Sequence, residues 1–104
     1  MTFYRMREFQ RRVLELTSKI PRGKVTTYKE IARAMGKPKA YRAVARALAE
    51  NPYPVKIPCH RVVRSDGEIG GYTGGTWKKA RLLKQEGVEI KGNKVPLEKY
   101  FFQL

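Results

Sequence analysis

One cysteine and one histidine occur in the chain, and they are adjacent: Cys59 and His60, in the stretch KIPCHRVV at 56–63. A thiol beside a base is the minimum set for nucleophilic chemistry, because the thiolate is the reactive species and needs a group to take its proton. A lone cysteine can equally be a small buried hydrophobe, and a lone histidine a structural one. Three local features point toward reactivity. Pro58 breaks the apolar run immediately before the cysteine. Arg61 and Arg64 crowd positive charge near it, which stabilises a thiolate. The glycine-rich GGYTGG at 70–75 would let a ligand or another backbone approach closely. Neighbours on a strand point to opposite faces, so direct contact between Cys59 and His60 requires a turn or a bridging water. A base also needs a third group to orient it. Glu86 is the candidate, in the last turn before Gly87, where the helix dipole disfavours a carboxylate and a cationic imidazole would offset that cost. The other reading of Glu86 is a solvated helix-end residue, and spacing alone favours it.

GGYTGG lacks the Gly-Lys-Ser/Thr ending of a phosphate loop and the spacing of a dinucleotide fingerprint. It reads either as a flexible turn or as one wall of a narrow pocket, with backbone N–H groups offered to a ligand oxygen and Tyr72 as a lid.

Several elements must hold these groups in place. Phe9, Val13, Leu16 and Ile20 recur at helical spacing and predict a helix over about 6–19, ended by Pro21 and Gly23. Thr27 with Glu30 forms a capping box that starts a second helix near Tyr28, and Gly36 suits its C-terminal cap. Pro38 suits the first turn of a third helix running to about Glu50. Two short helices joined by a glycine-containing turn make a helix-turn-helix over about 27–50. On the third helix Lys39, Arg42 and Arg46 share one stripe, with Ala40, Ala43 and Ala47 beside it, while Tyr41, Val44 and Leu48 point inward. Such a face suits close approach to a nucleic-acid groove; the alternative is an ordinary solvated face with alanines chosen for helix propensity.

NPYPVKIP at 51–58 predicts a stiff, extended connection, and HRVV a short strand. Asp66-Gly67 signals a turn within a hairpin or wing. Thr76 is expected to cap a last long helix with Trp77, Ala80 and Leu83 along its inner side and Gly87 as its stop. A small hairpin about Gly92-Asn93 and a closing aromatic segment follow.

Length and composition bound the rest. The 104 residues suit a single domain, mainly α with a small β component, a winged-helix-like helix-turn-helix domain. Lys+Arg number 23 against nine Asp+Glu, a formal charge of +14, which seeks polyanions: DNA, RNA or anionic lipid. No apolar run approaches the ~20 residues of a membrane span, and the charged start lacks a secretory signal. One cysteine rules out an internal disulfide, and no residue cluster has metal-ligand spacing. A reducing, intracellular setting is expected, cytoplasmic with the nucleoid or nuclear rather than secreted.

Taken together, IPCHRVV, the following GGYTGG, the preceding GKVTTYKEIA and the intervening KAYRAVARALAENP resemble the DNA-binding domain of the O6-alkylguanine-DNA alkyltransferases over about residues 8–90. The resemblance implies one alkyltransferase domain over 1–104, with its active-site motif at 58–62 and its pocket loop at 70–75. It implies extrusion of an alkylated guanine from double-stranded DNA and irreversible, single-turnover transfer of the alkyl group from O6 to Cys59, by a monomer without cofactor or metal. By the same resemblance His60 acts as base through a water, Glu86 orients it, and Asn51 holds the turn beneath the site. Tyr28 donates a hydrogen bond to the flipped base, and Val62, Tyr72 and Thr73 form the pocket wall, with the Thr73 N–H near O6. Arg42 replaces the lost base in the stack. The recognition helix, with Lys39, Ala40, Ala43 and Arg46, is expected in the minor groove, whose code is degenerate, so that selectivity comes from the pocket and from cheaper extrusion of a poorly paired base.

Two departures stand out. Many members of that family carry a separate N-terminal domain, and this chain starts almost at the DNA-binding domain; Arg46 occupies a usually small position. The short length also resembles the alkyltransferase-like proteins, which bind lesions without repairing them and lack the motif cysteine; its presence here favours transfer. A lesion-binding module that flags damage for other repair factors and a plain helix-turn-helix regulator are the alternatives. Charge and the recognition helix argue against a cysteine-protease-like hydrolase.

Overall fold

The computed structural model describes residues 7–72 and 74–104. Its elements run α1 (Glu8–Thr17), β1 (Thr26–Thr27), α2 (Tyr28–Ala34), α3 (Tyr41–Ala49), a 3₁₀ turn (Cys59–Arg61), β2 (Val62–Val63), α4 (Thr76–Gln85) and α5 (Leu97–Tyr100). The fold is mainly helical with one small sheet, as the patterning predicts. None of the described helices is long and apolar enough to cross a membrane.

Local signals account for the helix-turn-helix. Thr27 Oγ1 accepts from the Glu30 N–H at 3.0 Å, one half of the expected capping box. The reciprocal half does not form, because the Glu30 carboxylate turns instead to Arg33 and to the Leu104 N–H at 2.8 Å. At the other end the Gly36 N–H donates to Arg33 O and the Lys37 N–H to Ala32 O, a Schellman closure. The third helix begins later than its proline suggested: residues 38–40 form a turn, so Lys39 and Ala40 precede α3 rather than lie on it. Val44 and Leu48 point inward, joined by Ala47, while Arg42, Ala43 and Arg46 stay exposed. Ala47 therefore belongs to the interface with α1 and not to the basic face.

The two strands pair in parallel, Thr26 with Val62 and Thr27 with Val63. Because successive strand residues face opposite ways, Val62 packs with the cluster of α1, α2 and α3 and Val63 with a second cluster built on Val25, Ile69, Leu83, Val88, Val95 and Tyr100. The pair is the seam between both cores. After it the chain turns at Asp66-Gly67, and Glu68 bridges Lys94 antiparallel, so the wing draws its second edge from the distant Lys91–Lys94 turn. Gly92 and Asn93 both have positive φ there, as a tight two-residue hairpin requires.

Two connections differ from expectation. Residues 51–58 are not extended: Asn51 Nδ2 donates to Ile57 O at 3.0 Å while its Oδ1 accepts from the Tyr53 N–H at 2.8 Å, folding the segment into a tight loop. Proline stiffness yields here to one buried amide that satisfies both ends. At α4 the cap is Gly75, and Thr76 is the first helical residue rather than the cap. Trp77 faces outward at 66% exposure and Lys79 lies inside in its place, while Leu83 is buried and Ala80 packs against the same core, as expected. Gly87 closes this helix as expected, its N–H meeting Lys84 O and the Val88 N–H meeting Leu83 O.

The contrast between the two threonines is testable. Thr27→Ala should cost about 1 kcal/mol in denaturant unfolding, whereas Thr76→Ala should change stability by less than about 0.5 kcal/mol.

Candidate active site

Pro58 decides where the thiol goes. Its φ of −79° and ψ of 64° are those of an inverse γ-turn, closed by the Cys59 N–H to Ile57 O at 2.7 Å. A single 3₁₀ turn follows, with the Arg61 N–H on Pro58 O and the Val62 N–H on Cys59 O. Even this turn does not bring the Cys59 and His60 side chains together. Cys59 borders a cavity of about 390 Å³, the lower end of the small-ligand range. His60 is fully buried and points to the end of α4.

The cavity wall comes from four segments: Tyr28 at the start of α2; Ala45, Leu48 and Ala49 of α3; Cys59; and Gly71 with Tyr72. Tyr28 and Tyr72 thus stand beside the thiol. Burial raises both phenol pKa values and the Cys59 charge adds to the effect, so each remains a proton-bearing donor at neutral pH. Val62 is placed differently from the expected pocket wall: its side chain lies wholly in the core, and only its carbonyl turns toward the site. Thr73 lies outside the described residues. Ala45, Leu48 and Ala49 were missed as wall residues: Leu48 read as an inward-packing residue, and the two alanines carry no side-chain chemistry that would single them out.

His60 Nε2 lies 2.9 Å from Glu86 Oε2. Arg61 grips the same carboxylate with both arms of its fork, Nε to Oε1 at 2.9 Å and Nη2 to Oε2 at 2.7 Å, and its Nη1 donates to Ile20 O. Glu86 is therefore no solvated helix end; its side chain is 7% exposed. Burial pushes its pKa up, but the bonds from Arg61 and His60 outweigh this and hold it below the ordinary value. His60 moves the other way from its ordinary value: burial lowers its pKa despite Glu86. A neutral imidazole facing a carboxylate carries its proton on Nε2, which leaves Nδ1 as an acceptor, and among the described residues no group bonds to it.

Arg61, read from sequence as part of the positive field around the thiol, is thus committed to Glu86. Behind the cavity wall lies another cation, Lys79, which sequence reasoning passed over. It is completely buried, and its Nζ donates to Val62 O at 2.7 Å, Gly71 O at 3.3 Å and Tyr28 Oη at 3.4 Å, with no carboxylate among these partners. Burial lowers its pKa to about 8, and the Cys59 charge opposes that shift. Its i, i+4 spacing to Leu83 was the available signal. Gly70, at φ +75°, passes so near that an added Cβ would lie 3.4 Å from Tyr28 Oη and 3.8 Å from Lys79 Nζ.

Arg42 borders a second cavity that adjoins the first through Tyr28, Ala45 and Gly71 and also reaches Arg64 and Gly70. Arg46 and Ala43 instead face a groove toward Phe9 and Gln10 of α1. Asn51 sits beneath the thiol-bearing turn through Ile57, as described above. The structure therefore brings Cys59, Tyr28, Tyr72 and Arg42 to one opening and sets His60, Glu86 and Asn51 behind it.

A cation whose folded pKa lies below its unfolded value binds fewer protons when folded. Its penalty on folding is complete below about pH 8 and relieved as pH rises toward 10.5. Against Lys79→Met, the wild-type chain should gain stability over that window by up to roughly 3 kcal/mol, measured by urea unfolding at stepped pH.

The family described as "6-O-methylguanine DNA methyltransferase, DNA binding domain" matches residues 8–88. A methylated-DNA--protein-cysteine methyltransferase of Methanothermobacter thermautotrophicus is 57% identical over 82% of this chain and 47% of its own length. Schizosaccharomyces pombe ("S. pombe") Atl1, solved with damaged DNA containing O6-carboxymethylguanine, superposes with a TM-score of 0.85 at 35% identity, covering 96% of this chain and 99% of that one. Mycobacterium tuberculosis OGT, solved with DNA, gives 0.77 at 43% identity over 79% of this chain and 51% of that one. The chain thus spans about half the length, or less, of the curated relatives it matches. With a family match across most of its length and relatives of this identity, the chain belongs to the 6-O-methylguanine DNA methyltransferase family through that family's DNA-binding domain.

Proposed function

We propose that the chain repairs O6-alkylguanine in double-stranded DNA by taking the alkyl group onto Cys59. The observation that carries this reading is the opening of the Cys59 cavity between the recognition helix and the glycine loop. A base swung out beside α3 would enter there, with Arg42 at the rim to fill the stack behind it. The basic stripe on and just before α3, with a net charge of +14, supports binding to the DNA backbone, and the small residues Ala40 and Ala43 permit close approach in the minor groove.

The chemistry follows from the groups present. His60 Nδ1, the acceptor left open by the bond to Glu86, takes the thiol proton through a water. The Cys59 sulfur then attacks the alkyl carbon, an S–C bond forms, and the C–O6 bond breaks with its electron pair left on guanine. Tyr28 donates a hydrogen bond to the departing base as negative charge develops on it. Tyr72 closes the wall around O6. The product is a thioether with no group here to reverse it, so each molecule acts once. No cofactor takes part. The place of action is where the DNA is, the nucleoid-bearing cytoplasm or the nucleus.

A second reading, lesion binding without transfer, draws on the fit over nearly the whole Atl1 chain. Cys59 on the cavity wall favours transfer over it.

Peptide mass decides between them. After incubation with a duplex bearing O6-methylguanine, the peptide containing Cys59 should gain one methyl group, one per protein molecule; an unmodified peptide with the lesion still bound would establish the second reading. Cys59→Ala should bind the lesion and leave it intact. Arg42→Ala should slow transfer by a factor on the order of ten or more. Duplex affinity should fall log-linearly with salt, by about 0.9 per phosphate neutralised, and Arg46→Ala should reduce that slope by about one contact. A flat salt response would remove the basis for the backbone contacts.

A further inference from the structure

The outer face of α4 plays no part in the cavity, yet it carries the most exposed large apolar side chain among the described residues. Trp77 is 66% exposed, on the second residue of the helix. Its indole edge stands against Gly75, where an added Cβ would lie 3.4 Å from Cδ1 and 3.5 Å from Nε1. The ring borders a groove completed by Ala80, Arg81, Lys84, Gln85 and Asn93. No acidic residue lines that groove. Among the described residues Arg81 and Lys84 enter no ion pair. Four other aromatic rings, Phe9, Tyr28, Tyr41 and Tyr100, each have a lysine over them; among the described residues none sits over this indole.

We propose that this groove is a second nucleic-acid surface that holds an unpaired strand, one base stacked on Trp77 and the adjoining phosphates on Arg81 and Lys84. The pattern is a flat aromatic platform flanked by uncompensated cations, the combination that single strands use. A duplex buries its base faces and could not use the indole in this way. The other exposed large apolar residues, Val55 and Phe101, do not border this groove. The indole thus stands alone instead of forming the contiguous apolar patch that a protein partner or a lipid surface would need. A second copy of this chain is disfavoured by its own charge of +14. Gln85 and Asn93 offer amide groups to a base edge at the same groove. This surface is independent of the thiol: a strand could be held there whether or not Cys59 accepts an alkyl group.

Trp77 is the sole tryptophan, so its emission reports on this groove alone. The full chain is titrated with oligothymidylate and, separately, with polyglutamate. The proposal expects oligothymidylate to quench the indole in the wild type and equally in Arg42→Ala. By anisotropy, Trp77→Ala should weaken oligothymidylate binding about fivefold or more, the least that one stacked base is worth. Arg81→Ala with Lys84→Ala should flatten its salt dependence by about two phosphates. Trp77 and both cations are exposed, and matched thermal melts verify that the variants fold. Three outcomes would overturn the proposal: an indole indifferent to oligothymidylate, quenching abolished by Arg42→Ala, or polyglutamate quenching as strongly, which would make this a face for an acidic protein. Methylation of Cys59 is read separately, so failure of transfer and failure of this surface are distinguishable.

Discussion

Arg61 and His60 converge on one buried carboxylate, Glu86, and the turn that carries Cys59 is held from behind by that junction. Burying a carboxylate is expensive, and its pairing offsets that cost more reliably than it adds stability. The return lies in geometry. The bidentate fork fixes Arg61, the imidazole is held in one tautomer, and Cys59, one residue earlier in the 3₁₀ turn, is left facing the cavity. Asn51 does the corresponding work on the N-terminal side through Ile57 O, immediately before the Pro58 γ-turn. The turn that carries Cys59 is thus held from both directions, by Asn51 before it and Glu86 after it.

The charges divide into two populations. Exposed lysines and arginines make the surface broadly basic, and their mutual repulsion is screened by salt. Lys79 belongs to neither surface nor ion pair. Three oxygen acceptors hold it inside, where it links β2, the glycine loop and the Tyr28 hydroxyl. A buried cation without a carboxylate is stabilised chiefly by such acceptors and by any anion that forms nearby, and Cys59 is the group whose charge reaches it. The site therefore concentrates positive potential where a thiolate would develop while the outer basic face addresses a polyanion.

Most signals contained within a few residues translated directly into structure, the helix starts expected at Pro38 and Thr76 being the exceptions. Thr27 with Glu30, Gly36, Gly87 and Gly92-Asn93 each act through their own backbone bonds, so neighbouring chain hardly alters them. Signals that depend on what lies opposite did not translate. Glu30 abandoned the capping box because Arg33 and the Leu104 N–H compete for its carboxylate. The proline-rich segment folded back because Asn51 satisfies it. Trp77 left its expected inner place and Lys79 lies inside, because the interior beside α4 offers oxygen atoms to be satisfied and not only apolar surface to be covered.

Residue types were enough to establish a basic chain with one thiol next to one base, a helix-turn-helix ahead of them and a glycine loop behind, since composition, short-range capping and turn chemistry need no distant partner. They left open whether Glu86 was solvated, which cation the thiol meets and which side of α3 closes the pocket. Those questions were decided by packing between segments far apart in the chain: Glu86 reaches His60 across 26 residues and Lys79 reaches Tyr28 across 51. Hydrogen bonds and charges act through space at a few ångströms, and only the folded chain sets which groups come that close.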